Sequence, residues 1–455
     1  MQGAAALERR SVRATFLVAG ATAIVVVAVV AGSGTVGDRT AILLPVGLAA
    51  GLGMTALSLV RYEVFLAILI VVRASLDVVK VSSSSVDATG AVSVLFIGAT
   101  FLWLLRSDDA LHAPPSVRRV VVPLVALLAA GALSLTRSAH PLLSGVELVR
   151  IGTLVVIVVA LGRAVRTPDD VRRFLVAIFG SAIVPLAVAG MELMRGAGGL
   201  TPGGVSRING TFLHPNPFGA YLMLVIVLAV SLSPHVATRW RWSLGALVVT
   251  AACVLVTTYA RGAWIATVVA LVVVGVLQSR RVLWLMGAAM VAIPLMFPAV
   301  IVRLSDLSTE RAPSGAPGNS LAWRFEHWRE AISRQDDPMI GIGLKEVELS
   351  DEASAAPHND YVRLFVETGI VGLAAYLWFF ATLLREGVRA LRRAPPGIAR
   401  GLAVAFLAAL TGIVVLSMAA NVISQLVILW YFVAIVVLTL VAAGSDRERA
   451  VAATA

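Results

Sequence analysis

Three stretches hold polar side chains of types that could do chemistry. In RINGTFLHPNPFGAYLML (207–224), Arg207, Asn209, His214 and Asn216 stand at the mouth of an apolar run. Asn216 followed by Pro217 reads as a helix N-cap and first helical residue. That capping leaves Arg207 and His214 unexplained. In TTYARGAWIA (257–266), Arg261 closes one apolar run and Gly262 turns into the next. A guanidinium there is either an anchor snorkelling to the interface or a bidentate ligand for phosphate. In PHNDYVRLFVETGIVGLAAYLWFF (357–380), His358 and Asn359 open another run. Imidazole titrates near neutrality, so His358 is either a candidate general base or a loop bystander. Glu367, deeper in the same run, is an intramembrane carboxylate and belongs against the protein interior or a cavity. Gly369 and Gly372 have the small-residue spacing that permits close helix packing.

The elements that must position these residues follow from composition. Of 455 residues, 59% are hydrophobic and only 14% are charged. Soluble domains hold about 45–50% apolar and about 25% charged residues, so this chain cannot keep a water-facing surface. It reads as an all-α integral membrane protein. Runs of about 17–25 apolar residues span a bilayer core. About fourteen occur, near 14–34, 40–60, 63–80, 88–105, 118–136, 145–162, 173–194, 215–233, 242–259, 263–278, 282–301, 360–384, 399–420 and 424–443. Allowing for weak ones, this predicts 12–14 transmembrane helices. The third run is the least regular, with Arg73 and Asp77 one helical turn apart, a spacing that suits a structural ion pair.

The organisation is one membrane domain in three parts: a multispan region over 1–300, a long loop over 301–359, and C-terminal helices over 360–455. The N-terminal stretch has the basic start of a signal peptide. Its long apolar run lacks a small-residue cleavage site and reads as a first membrane helix. The net charge of +11 is carried mainly by arginines in short loops. The positive-inside bias puts those loops, and both termini, in the cytoplasm. Nucleic acid is thereby set aside as a partner. The opposite face then carries Arg195 to His214 and the long loop. Within that loop SLAWRFEHWREAISR (320–334) has helical spacing of Leu321, Trp323, Phe325, Trp328 and Ile332, and reads as an amphipathic helix lying flat on the outer face. Cys253 is the only cysteine and sits in an apolar run, which excludes an internal disulfide. No phosphate-binding Gly-Lys loop, nucleophile elbow or metal-binding His-Glu pair occurs, so ATP-driven transport is not expected of this chain.

The ordered set resembles the O-antigen ligase and polysaccharide polymerase superfamily of bacterial membrane glycosyltransferase-like proteins. It comprises Arg207 with HPNPFGAYL, then ARGAW, Ser320 and Arg324 in the long loop, and a GIGL turn (341–344). It closes on His358, Asn359, nine residues, Gly369, two residues and Gly372. The resemblance covers roughly 200–385. It implies a C-type glycosyltransferase-like (GT-C) membrane fold. It also implies transfer of glycan from a polyprenyl-diphosphate carrier, usually undecaprenyl diphosphate, to an acceptor hydroxyl. That transfer is inverting, occurs on the outer face of the cytoplasmic membrane, and needs no cofactor, nucleotide sugar or metal. By the same resemblance Arg261, Arg324 and Arg207 bind the diphosphate and His358 is the base. Asn359, His214, Asn216 and Glu367 are supporting residues. Lys80 and Lys345 are the only lysines, Arg standing elsewhere, which suggests a GC-rich genome whose owner has no lipopolysaccharide. The acceptor is then a glycan, glycolipid, wall polymer or protein. With the same chemistry a polymerase would extend the lipid-linked chain block by block, and ligase and polymerase are not separated. The rival readings from other classes are a transporter or flippase of lipid-linked oligosaccharide and an assembly scaffold. The first would need charged or broken helices near the midplane, whereas the polar residues here gather on one face. The second leaves Arg261 and His358 without purpose.

Overall fold

The computed structural model describes residues 51, 53–76, 88–106, 114–196, 199–200, 206–297, 300–301, 320–349 and 357–454, and the fold is almost entirely helical. The first apolar run and most of the second lie outside the described residues, as do Asp77 and 302–319. The helices, in chain order, are α1 (Tyr62–Arg73), α2 (Ala88–Arg106), α3 (Pro115–Ser134), α4 (Pro141–Ala164), α5 (Pro168–Gly180) and α6 (Ile183–Arg195). A two-stranded hairpin follows, β1 (Gly199–Leu200) antiparallel to β2 (Ser206–Arg207). Then come α7 (Pro215–Leu232), α8 (Thr238–Thr257), α9 (Arg261–Leu277), α10 (Arg280–Met296), α11 (Ser320–Ser333), α12 (Glu346–Leu349), α13 (Asp360–Arg393), α14 (Ile398–Ser417) and α15 (Leu426–Thr454).

Eight helical stretches among the described residues are long and apolar enough to cross a membrane, and Ser93–Leu105 and Arg261–Leu277 are shorter apolar helices. The run expected at 173–194 is two helices that meet at Ser181 and Ala182 and continue as one stretch, Pro168–Arg195. The irregular third run ends early, at Arg73. There the Arg73 guanidinium lies 5.9 Å from the centre of the Trp430 ring, so a buried aromatic face meets this charge.

The core sits around α7 and α15, whose described side chains are nearly all enclosed. Helix α7 packs on α8, α9 and α14, and α15 packs on α4 and α14. Lipid tails are as apolar as leucine, so such contacts depend on close fit rather than on expulsion of water. Gly219 supplies that fit where α7 meets α9: a Cβ there would come within 2.8 Å of Ala263 Cβ. The close approach brings the start of α9 beside the start of α7.

Helix α13 is not continuous. It breaks at Gly369, with φ 64° and ψ −169°, a backbone that L side chains adopt only under strain. The break frees backbone groups inside an apolar body, and the chain over 338–343 takes them up. Val366 O and Glu367 O accept from Ile342 N and Gly343 N, both at 3.0 Å, and Ile370 N donates to Pro338 O at 2.8 Å. A side chain at Gly369 would collide with the Met339 carbonyl, and one at Gly341 with the Glu367 backbone. The two glycines therefore permit backbone to meet backbone. This corrects the expectation of helix-on-helix packing at Gly369; at Gly372 the space a Cβ would need is filled by the Thr368 side chain.

Candidate active site

Three helices begin at one place. Helix α9 opens with Arg261 at its first position, and among the described residues no side chain caps it. The positive end of its dipole thus lies at the Arg261 end of the helix. Helix α7 opens at Pro215 and is capped by His214, whose Nδ1 accepts from Asn216 N at 3.2 Å. This corrects the expected cap at Asn216. Pro215 and Pro217 both fit a first helical position, and the chain uses the earlier one. Asn216 is thereby released, and its Oδ1 accepts from Arg207 Nη2 at 2.8 Å. Helix α13 is capped by Asn359, whose Oδ1 accepts from Tyr361 N at 2.9 Å and from Val362 N at 3.2 Å. With that oxygen committed to the cap, Asn359 shapes the turn that carries His358.

Between these helix starts lies a cavity of about 210 Å³, lined by Arg207, Arg261, Arg324, His214, His358 and Asn216, together with Trp323, Tyr259, Gln425 and small residues of α9 and the α14–α15 turn. All three arginines and the histidine expected to act together thus share one cavity. No carboxylate lines it among the described residues. Glu367 stands apart, fully buried. Its Oε2 accepts from Arg363 Nε at 3.0 Å. Arg363 also meets Glu348 at 3.1 Å and Glu147 at 3.7 Å, and donates to Ser424 Oγ. Glu367 therefore belongs to a buried ion network that ties α13 to α4, α12 and the turn at 422–424.

Arg207 is aimed by its surroundings. Its Nε donates to Thr258 O at 2.9 Å, and the neighbouring Ile208 N bonds Thr257 O at 3.3 Å. The β-hairpin is thereby fastened to the α8–α9 turn that delivers Arg261. Arg324 comes from the loop helix α11. That helix docks on the protein: Trp328 Nε1 donates to Pro357 O at 2.6 Å, Gln335 Nε2 donates to Phe365 O at 2.6 Å, and Ala331 packs with Val347 and Val366. Phe325 and Ile332 remain exposed. The helix expected over 320–334 exists, with Trp328 bonded to the chain at Pro357 and Trp323 in the cavity wall.

His358 has φ of 50°, in the left-handed region rare for residues with a side chain. Such strain of about 1–3 kcal/mol persists only where the surroundings over-determine it. Both neighbours are pinned here. Trp328 holds Pro357 O, and Asn359 N donates to Asn421 Oδ1 at 3.1 Å. Asp360 accepts from Ile423 N at 3.1 Å and from the Tyr376 hydroxyl at 2.9 Å. The His358 imidazole is held down to about 4, by burial first and then by the positive charge of Arg324 and by His214 and His327; Glu348 opposes them. It is neutral at physiological pH and can accept a proton. His214 is also held below its ordinary value, by burial and then by Arg207. With Nδ1 accepting, its ring proton is on Nε2. Burial lowers Arg324 as well, but a guanidinium keeps its charge.

The cavity thus brings together three arginines and two imidazoles, both held below their ordinary value. Residues 246–377 match the family model described as O-antigen ligase. Over this stretch the chain is similar to the O-antigen ligase family. No curated protein matches the chain. The O-antigen ligase segment covers under a third of the sequence. It holds Arg261, Arg324 and His358, whereas Arg207, His214 and Asn216 precede it and reach the same cavity through the fold.

Several residues of the site went unassigned at the sequence level. Trp323, Tyr259 and Gln425 line the cavity, and Asn421 and Asp360 fix the backbone beside His358. The available signal was the cluster Asn421, Ser424 and Gln425 between two apolar runs, since polar groups at membrane depth have to be used.

Proposed function

We propose that this protein transfers glycan from a polyprenyl-diphosphate carrier to an acceptor hydroxyl at the outer face of a bacterial cytoplasmic membrane. The observation that carries the reading is the shared cavity of Arg207, Arg261, Arg324 and His358, lined by no carboxylate among the described residues. A glycosidase would need a carboxylate pair. Here the chemistry fits a leaving group that is itself an anion.

The acceptor oxygen attacks the anomeric carbon, and His358 takes the hydroxyl proton. The bond from that carbon to the phosphate oxygen breaks, and its electron pair leaves with the diphosphate. Attack opposite the leaving group inverts the anomeric configuration. Arg207, Arg261 and Arg324 stabilise the charge that grows on the diphosphate, assisted by the uncapped start of α9; such fixed donors are worth about 2.7–4 kcal/mol each in a dry site. Proton removal by a placed base adds about 10²–10⁴-fold. The cavity is smaller than the usual ~300–1,000 Å³ of ligand pockets. It holds the diphosphate and the reacting carbon, and the prenyl chain and remaining sugars extend outside.

Donor binding also prepares the base. A bound diphosphate offsets the positive charge of Arg324 beside His358 and raises the imidazole toward neutrality, where a base works best. The donor then binds before proton transfer. The test is transfer from lipid-diphosphate-linked oligosaccharide by the purified protein in liposomes, with and without EDTA, and with the product's anomeric configuration read by NMR. An inverted product unaffected by EDTA is expected. A retained configuration, or complete loss in EDTA restored by a divalent metal, would overturn the mechanism.

A further inference from the structure

Trp323 carries no charge, yet it forms part of the cavity wall beside the base. Its ring centre lies 5.9 Å from that of His358, at 51°. Its other contact is His327, one turn along the same helix, stacked at 4.7 Å and 16°. That stack lies within α11 and fixes the indole orientation without joining two elements. Docking of α11 is the work of Trp328, Gln335 and Ala331. The Trp323 ring is half-buried and faces the cavity.

The face of an indole carries negative charge in its quadrupole and the ring edge carries positive charge. It repels phosphate oxygens and attracts polarised C–H groups. The partner that suits it next to a base acting on a sugar hydroxyl is an uncharged ring with a C–H face. We propose that Trp323 is a platform for a pyranose ring, holding one of the two reacting sugars against His358. This rests on the glycan-transfer reading. It adds that the protein grips its glycan by one aromatic face, as well as by the charge on the carrier.

Two replacements separate platform from packing. Trp323→Phe keeps an aromatic face, and Trp323→Leu keeps apolar bulk without one. Transfer by the full-length protein in liposomes is measured while donor and acceptor are varied separately. Trp323→Leu is expected to raise KM for one of them about tenfold with kcat little changed, and Trp323→Phe to restore most of it. A rise for the donor alone assigns the platform to the donor sugar, and a rise for the acceptor alone assigns it to the acceptor sugar. An effect that follows prenyl chain length instead would overturn the proposal in favour of a lipid contact. So would a Leu variant indistinguishable from wild type, or Phe and Leu variants equally impaired with a lowered Tm.

Binding is read independently of turnover by saturation-transfer NMR, with the free oligosaccharide released from the host's lipid-linked glycan as probe. Saturation reaching ring C–H protons in wild type, and lost in Trp323→Leu, supports the platform even where no transfer occurs. Transfer that needs Arg261 and His358 but ignores Trp323→Leu removes the platform alone.

Discussion

Arg261 joins two sources of positive charge in one residue position. Its guanidinium lines the cavity, and its backbone N–H is the first of an uncapped helix. Arg261→Ala is expected to lower kcat/KM by about 10²–10³-fold. Arg261→Lys should recover only part of that, because a point charge lacks the bidentate fork. Steady-state transfer rates of the three proteins decide it. His358 gives a second prediction. Its lowered value means that the free protein keeps a neutral base as pH falls below 6.5, so the acid limb of kcat/KM should lie well below 6.5, toward about 4. In the donor complex the imidazole is raised, so the acid limb of kcat should lie above that of kcat/KM. Coincident limbs would contradict the coupling between donor charge and base. Arg261 and His358 were legible in the sequence as polar side chains at the ends of long apolar runs, whereas Arg324, inside the polar loop, was assigned by the family resemblance alone. The cap at His214 was not, since two prolines fitted the same role.

At the scale of elements, the site depends on two backbone devices. One is the break in α13 at Gly369, where the 338–343 segment supplies the missing partners. Gly369→Ala forces a side chain into the Met339 carbonyl at a positive φ. It should cost about 1–3 kcal/mol and lower Tm in detergent, with transfer lost in proportion to unfolding. The other is the pinned turn at His358. Asn421→Ala removes the acceptor for Asn359 N and should lower kcat with little change in donor KM, because the arginines are untouched. An unchanged kcat would show that Asn421 does not position the base. The glycines could be read as small residues from spacing alone. That they serve a helix break could not, because the partner segment lies some thirty residues away in sequence and meets them only in the folded chain. Arg363 and Glu367 do have an i, i+4 spacing that marks a pair. Their further partners, Glu147 and Glu348, are visible only in the fold.

For the molecule as a whole, the arginines of the cavity and the loop helix α11 gather where α7, α9 and α13 begin. Arg239 and Arg241 stand in the first turn of α8, Arg280 and Arg281 in the first turn of α10, and Arg392 and Arg393 in the last turn of α13, at the helix ends far from the cavity. The orientation proposed from the positive-inside bias puts those arginines in the cytoplasm and turns the cavity outward. Leu213, exposed beside His214, and Trp242, exposed near the start of α8, test this. With Cys253 replaced, an impermeant maleimide added to intact cells should label Leu213→Cys and spare Trp242→Cys. The reverse pattern would put the chemistry on the cytoplasmic side. Composition and apolar runs made the membrane class and most described helices legible. They could not show which runs merge, as Pro168–Arg195 does, or that α11 docks on the protein.

One cavity of arginines and a histidine is proposed to move glycan from a diphosphate carrier. The most direct measurement compares wild type, Arg261→Ala and His358→Ala in liposomes given lipid-diphosphate-linked oligosaccharide, without ATP. Wild type should yield transferred glycan, as a ladder if it extends the lipid-linked chain or as a single product on a separate acceptor. Both variants should lose it while remaining folded. Transfer that persists in both, or no transfer with the lipid-linked substrate instead crossing the bilayer, would contradict the account.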